Sequence, residues 1–351
     1  MSPRGWRWFR RKPGRAKGLS GSFNSRSNSP SRYTRLAPRV AEEPLSGPLL
    51  RAPVLWLTEK AWFRNLATSG WVGRTVAGRF VAGETLDQSI DVARRMGRES
   101  IAAMLDHLGE NVTSSWQARA ATDQYLLAVR RLHSEEDVDG AISVKLTQLG
   151  LDVSESLCLE NAARLVEEAS AAGILVMIDM EASAYVDPTL RVHRALRENS
   201  TRVGVCLQSA LRRTPSDVSD LPEASIIRLV KGAYLEPEDV AFSRRRDVDR
   251  SYARLFATLM ERGHTVHVAT HDPRMIDRAR AFVERRGLSW GRVEFQMLYG
   301  IRLDIQHALA RDHYPVRVYI PYGTEWYPYL TRRMAERPAN LIFVASNALR
   351  G

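Results

Sequence analysis

From Ser100 to the C-terminus, eight short runs rich in β-branched residues alternate with stretches of helical periodicity, and few folds accommodate that alternation. Successive runs can pair in parallel only if a helix carries the chain back between them, which is the βα unit. The runs cover 100–108, 141–148, 174–181, 202–209, 225–233, 265–272, 293–299 and 315–321. Helical spacing fills the gaps at 114–133, 155–172, 188–198, about 243–262, 273–286 and 303–311, and a last helix is expected at about 325–336. Eight parallel strands close a barrel. A doubly wound open sheet is the competing architecture, but it wants a glycine-rich phosphate loop after its first strand. The first run leads instead into Leu105-Asp106-His107-Leu108-Gly109-Glu110, which has no GxGxxG.

Ahead of the barrel the chain reads differently. Residues 1–53 are Arg-, Ser- and Pro-rich with little periodicity, and are expected to be a disordered basic extension. Helices are expected within 54–99, at 54–68 and 85–97, and the catalytic barrel over 100–351. The formal net charge of +11 suggests a polyanionic partner until it is located. Eleven basic residues and no acidic ones lie between Met1 and Ala41, and the remainder carries 40 of each sign. The body is therefore neutral, and no nucleic-acid partner is expected of it. The tail also resembles a transit peptide in composition, which leaves an organellar location open. With 44% hydrophobic and 26% charged residues the chain is of ordinary globular make-up, which excludes collagen-like and wholly disordered classes. Cys158 and Cys206 stand apart without metal-ligand spacing, so reduced thiols in a cytoplasmic compartment are expected, with no metal. Its longest apolar runs fall far below membrane-spanning length.

In such barrels chemistry sits where strands end and βα loops begin. Those positions are polar here: Lys145 and Gln148, Asp179 and Glu181, Gln208, Arg228 and Lys231, Thr270, His271 and Asp272, Gln296, and Tyr319. Polar groups at seven consecutive strand ends converge on one mouth. Cations outnumber anions in this set, which suits an anionic cofactor or substrate. Lys145 alternates with Ser143 and Thr147, so it faces the barrel interior. It could be a Schiff-base nucleophile or a plain carboxylate-binding cation. Arg332 and Arg333 on the last helix could join the mouth or form a solvated face. Asp179 could be a buried ion-pair partner.

The segments Ser143-Val-Lys-Leu-Thr-Gln-Leu-Gly150, Ile178-Asp-Met-Glu181, Val205-Cys-Leu-Gln-Ser209, Arg228-Leu-Val-Lys-Gly-Ala-Tyr234, Ala269-Thr-His-Asp272, Glu294-Phe-Gln-Met-Leu-Tyr-Gly300 and Val318-Tyr-Ile-Pro-Tyr-Gly323 are followed by Tyr329-Leu-Thr-Arg-Arg333. In this order they resemble the motif series of FAD-dependent proline dehydrogenase. The resemblance covers about residues 55–350 and implies a distorted (β/α)8 TIM barrel that oxidises L-proline to Δ1-pyrroline-5-carboxylate. It implies electron transfer to a membrane quinone, peripheral attachment to the inner membrane, and a separate Δ1-pyrroline-5-carboxylate dehydrogenase as partner. It is similar to the monofunctional enzyme, with no aldehyde dehydrogenase region expected after Gly351.

By the same resemblance, Asp179, Arg228 and Tyr319 are catalytic. Lys145, Arg332 and Arg333 hold the proline carboxylate, Leu298 and Tyr329 form walls, and Glu110 pairs with Arg332 as a gate. Met180, Gln208, Arg228, Lys231, Gly232, Ala233, Thr270 and His271 are implied FAD contacts. Leu235 stands where the family often has an aromatic. Two other classes compete: an aldolase-like barrel using Lys145 or Lys231, and a basic-tailed binding protein on an inert barrel.

Overall fold

The computed structural model describes residues 78–234 and 236–336, with side chains described through Thr331. The basic extension, the helix expected at 54–68, Leu235 and the side chains of Arg332 and Arg333 lie outside the described residues. Eight parallel strands pair in chain order: β1 (Ala102–His107), β2 (Gly140–Val144), β3 (Leu175–Ile178), β4 (Val203–Gln208), β5 (Ile226–Val230), β6 (Thr265–Ala269), β7 (Val293–Leu298) and β8 (Val316–Tyr322). The last pairs with the first, Ala102 opposite Arg317 through His107 opposite Tyr322, so the barrel is closed and the open-sheet alternative falls.

Helix α1 (Leu86–Arg98) precedes the barrel; α2 (Ser115–His133), α3 (Glu155–Ala171), α4 (Val186–Arg197), α5 (Thr214–Ser219), α6 (Arg245–Glu261), α7 (Pro273–Arg286) and α8 (Leu303–Arg311) follow strands one to seven, with α5 and α6 both after neighbouring strands β4 and β5. Helix α9 (Trp326–Glu336) follows β8. Several starts are chemically explicit. Thr85 and Gln88 form a reciprocal capping box on α1, and Ser114, Ser154 and Asp272 accept first-turn backbone N–H groups of α2, α3 and α7. No described helix is long and apolar enough to cross a membrane.

Alternation along each strand divides the molecule into two interiors. Outward residues such as Leu105, Ile142, Val176, Val205, Leu229, Val268 and Ile320 pack with Tyr125, Leu165, Tyr252 and Leu259 of the helices in one continuous core. Inward residues form only a small apolar layer, with Met104, Ala141 and Met177 against Leu175, Ile226 and Tyr319. Many of the other inward positions are polar, among them Asp106, Ser143, Arg228, His267, Gln296 and Arg317.

Some boundaries differ from the sequence reading. The strands expected to reach 148, 181, 233 and 272 stop at Val144, Ile178, Val230 and Ala269. Their apolar pattern outlasts the ladder because loop residues such as Leu146 and Leu149 stay fully buried. The short helix α5 was not expected. It starts at Thr214-Pro215, and proline suits a first helical turn.

Candidate active site

Asp179 is the first residue after β3, and its amide donates to the Val144 carbonyl at 2.8 Å, which stitches it to the end of β2. Its carboxylate collects donors from around the barrel. Oδ1 accepts from Ser143 Oγ at 2.7 Å and from Arg228 Nη1. Oδ2 accepts from the Tyr319 hydroxyl at 2.9 Å and lies 3.5 Å from Lys145 Nζ. Four strands thus meet at one side chain. Arg228 also donates from Nη1 to Ser143 at 2.9 Å and from Nε to Gln296 Oε1 at 2.7 Å, and its guanidinium stands 5.3 Å from the centre of the Tyr319 ring.

Two of the cations expected at the mouth, Lys145 and Arg228, are neutralised locally. Lys145 Nζ donates to Asp106 Oδ1 at 3.0 Å, and Asp106 on β1 is fully buried. Among the described side chains at this centre, two cations face two carboxylates. Taking a lysine or arginine out of water without a counter-ion is too unfavourable, so the interior that buries Lys145 and Arg228 also supplies Asp106 and Asp179. Asp106 was missed in the sequence because it sits in a segment read only for its lack of glycines. Its alternation with Met104, which faces the barrel interior, is the signal that could have found it.

These neighbours set the charge states. Burial opposes the Lys145 ammonium, but Asp106 and Asp179 more than offset it and hold Lys145 above the usual lysine range. Burial likewise pushes the Asp179 carboxyl up, while Arg228 and Lys145, with the Ser143 and Tyr319 hydroxyls, bring it below the usual carboxylate range. Burial, then Asp106 and Asp179, push the Tyr319 phenol well above its ordinary value. The site is thus a locked set of ions with a neutral phenol.

A second group lies at the ends of β4, β5 and β6. The Gln208 amide nitrogen donates to the Met180 and Glu181 carbonyls at 3.1 and 2.9 Å, which fixes the loop after β3. Its Oε1 lies against Gly232, whose φ of +120° favours glycine and where a Cβ would come 3.3 Å from that oxygen. Lys231 donates to Asp249 at 2.5 Å and Asp272 at 2.8 Å, and Arg245 and Arg274 also contact Asp272, so three cations share two carboxylates beside the starts of α6 and α7. One positive charge is thus in surplus beside the starts of α6 and α7, an arrangement chemically suited to an anion. His271 Nε2 accepts the Leu298 amide at 3.0 Å, so the proton of its neutral ring is on Nδ1. Thr270 is buried and accepts the Asp272 amide at 3.2 Å. Ala233 is half-buried beside Gly232.

The other expected residues are placed as follows. Met180 is buried, and Leu298 ends β7 half-buried. Glu110 is half-buried in the loop after β1, while Tyr329 on α9 packs with Phe80, Leu108, Trp326 and Leu330 in a cluster of its own. Arg332 and Arg333 lie on the same helix. Both cysteines are free and buried, and burial pushes each thiol up to about 12.

A family model described as Proline dehydrogenase matches residues 89–346. The chain is 39% identical over 310 residues to Proline dehydrogenase of Deinococcus radiodurans, covering 86% of this chain and 99% of that one. It is 36% identical over 285 residues to Proline dehydrogenase 2 of Bacillus subtilis (strain 168), covering 81% of this chain and 94% of the other. Among solved structures, proline utilization A from Bdellovibrio bacteriovorus, inactivated by N-propargylglycine, shares the fold with a TM-score of 0.70 at 24% identity. That likeness covers 75% of this chain and 32% of the larger one.

Proposed function

The chain belongs to the proline dehydrogenase family, and on that premise we propose which of its residues bind L-proline and the flavin, and how they promote oxidation. The enzyme oxidises proline in the first step of proline catabolism, and it is flavin-dependent. The reading that the flavin is FAD is supported by the second group. A backbone opened at Gly232, the ordered Gln208 amide, Thr270 and His271 suit the ring system, and the cradle of Lys231, Arg245 and Arg274 suits a pyrophosphate. Met180 and Ala233 complete that lining. FAD supplies the hydride acceptor when bound.

Lys145, with Arg332 and Arg333 of α9, clamps the proline carboxylate and so orients the ring for transfer. Tyr319, Leu298 and Tyr329 wall the ring, and Glu110 closes over it with Arg332. Asp179 takes no proton in this scheme. Three hydrogen-bond donors and the Lys145 ammonium surround it, and its work is to hold Arg228, Tyr319 and Lys145 in register. Arg228 presents fixed positive charge where negative charge develops as the substrate is oxidised. Lys145 and Arg228 are neutralised by Asp106 and Asp179, so within this reading the surplus positive charge that disfavours a protonated proline nitrogen comes from Arg332 and Arg333.

The observation that carries this reading is the Asp179 junction, where Ser143, Lys145, Arg228 and Tyr319 meet one carboxylate. A Schiff-base role for Lys145 is disfavoured by the same contacts, since a nucleophilic amine must be neutral and both carboxylates keep it charged. The reading extends to a membrane quinone as electron acceptor, to peripheral attachment of a cytoplasmic enzyme at the inner membrane, and to a separate Δ1-pyrroline-5-carboxylate dehydrogenase that takes the product. An absorbance spectrum of the purified protein before and after anaerobic L-proline tests it. The expected result is a flavin spectrum that bleaches; a colourless protein, or a borohydride-trapped adduct on Lys145, would replace it with the aldolase-like reading.

A further inference from the structure

Below the mouth the barrel interior stays polar along one connected path. Gln296 on β7 is 5% exposed, and its Oε1 accepts from Arg228 Nε at 2.7 Å. Its Nε2 lies 2.7 Å from Glu294 Oε1 and 2.8 Å from His267 Nδ1. Glu294 also accepts from Arg317 Nε at 2.9 Å. Arg317 is itself fastened to the base of the barrel, through the Ala103 and Asp139 carbonyls at 3.0 and 3.1 Å and the Asp139 carboxylate at 3.1 Å.

The donor and acceptor assignment along this path admits one solution. Burial lowers His267 to about 4 despite Glu294, so the ring is neutral near pH 7 and its Nδ1 can accept. Glu294 is held at about 2: burial would raise it, but Arg317 and His267 more than offset that, and it accepts only. Two acceptors therefore claim the two N–H bonds of the Gln296 amide, and its oxygen must face the other way. That way is Arg228 Nε–H. A flipped amide would set N–H against N–H at the arginine and oxygen against oxygen at Glu294, a double mismatch in a buried network.

We propose that Glu294 and His267 are positioning residues which, by fixing the amide of Gln296, hold the Arg228 guanidinium in a single orientation toward the reacting centre. The inference rests on the reading that Arg228 acts on charge developing there. Two of its donor groups are anchored by different partners, Nη1 by Asp179 and Ser143 at the mouth and Nε by Gln296 below. Losing the lower anchor leaves Nε without its acceptor and the guanidinium held only through its outer nitrogens, Nη1 by Asp179 and Ser143 and Nη2 against the Met104 sulfur, so its tilt is less restrained. The carboxylate clamp at Lys145 shares no hydrogen bond with Gln296, so substrate binding should be spared.

The test uses the flavin-loaded enzyme carrying Gln296→Met, which keeps the volume and removes both hydrogen-bonding ends. Turnover with L-proline should fall about tenfold or more while KM stays within about twofold. The Arg228 Nε–H resonance, assigned by its loss in Arg228→Lys, should lose its protection against exchange with water. His267→Leu, which removes one neutral acceptor and no charge, should move both readouts in the same direction by a smaller amount, and it decides the matter if Gln296→Met does not fold. A folded Gln296→Met or His267→Leu with unchanged turnover, or with an unchanged Arg228 resonance, overturns the proposal. Full activity in Arg228→Lys would instead overturn the reading on which it rests.

Discussion

Between Asp106 and Asp179, the Lys145 ammonium is 3.0 and 3.5 Å from two carboxylates, and only Asp179 is shared with Arg228. Asp106 therefore competes with any incoming carboxylate for the same cation. Replacing it with a neutral amide of the same shape removes a repulsion worth roughly 1–2 kcal/mol at an effective dielectric of about 20. Asp106→Asn should bind carboxylates about tenfold more tightly, seen as a lower KM for L-proline and a lower inhibition constant for acetate. Weaker binding would mean that Asp106 serves mainly to aim Lys145. Much of this centre is legible in the sequence: Lys145 and Asp179 follow from strand-end position and alternation, whereas Arg228 and Tyr319, expected at strand ends, stand mid-strand in β5 and β8 with their side chains in the barrel interior. Asp106 is not legible, because a buried anion is recognised by the cation it neutralises, and that cation lies 39 residues away.

At the scale of elements, the barrel depends on what its inward positions can hold. Gly204 on β4 faces inward, where a Cβ would come 2.7 Å from Met177 Cε and 2.8 Å from the Ile226 carbonyl. Gly204→Ala should destabilise by about 1–3 kcal/mol through overpacking, read as a lower urea midpoint at unchanged slope. An unaffected midpoint would show that the lower layer has slack. Helices were easier to read than strand ends. Helix α7 announces both termini, with Asp272-Pro273 at its start and Gly287 at φ +60° at its end. The charges on the lower halves of β6, β7 and β8 gave no such signal. His267, Glu294 and Arg317 occupy early strand positions that ordinarily read as solvated, and only closure of the sheet turns them inward. Gln296, expected among the strand-end groups of the mouth, stands mid-strand and links the mouth to the base.

For the whole molecule, buried titratable groups make stability fall in acid. Burial, helped by Arg197 and Arg194, lowers His193 to about 3, and neither ring nitrogen has a hydrogen-bond partner among the described residues; burial lowers His267 to about 4. The unfolded chain binds these protons at about 6.5, so between that pH and the folded values it holds more protons than the native state. Their contribution is complete above about pH 6.5 and is lost as pH falls toward 4 and 3. Glu294, held at about 2, adds a loss in the same direction below its ordinary 4.5. Urea midpoints should therefore drop steadily from pH 6.5 to 4, and His193→Leu should flatten that slope; an unchanged slope would show that His193 does not ionise on unfolding. The pairing of β8 with β1 bears on how the chain is made as well. A ribosome delivers Asp106, Lys145, Asp179 and Arg228 long before Arg317 and Tyr319, the side chains that tie the last strand to Ala103 and Asp179. Until then the growing sheet has two open edges and a wet, charged trough where its interior will be. The strand that completes the site is thus the last of the eight to be synthesised, and the pairing that removes both edges depends on it.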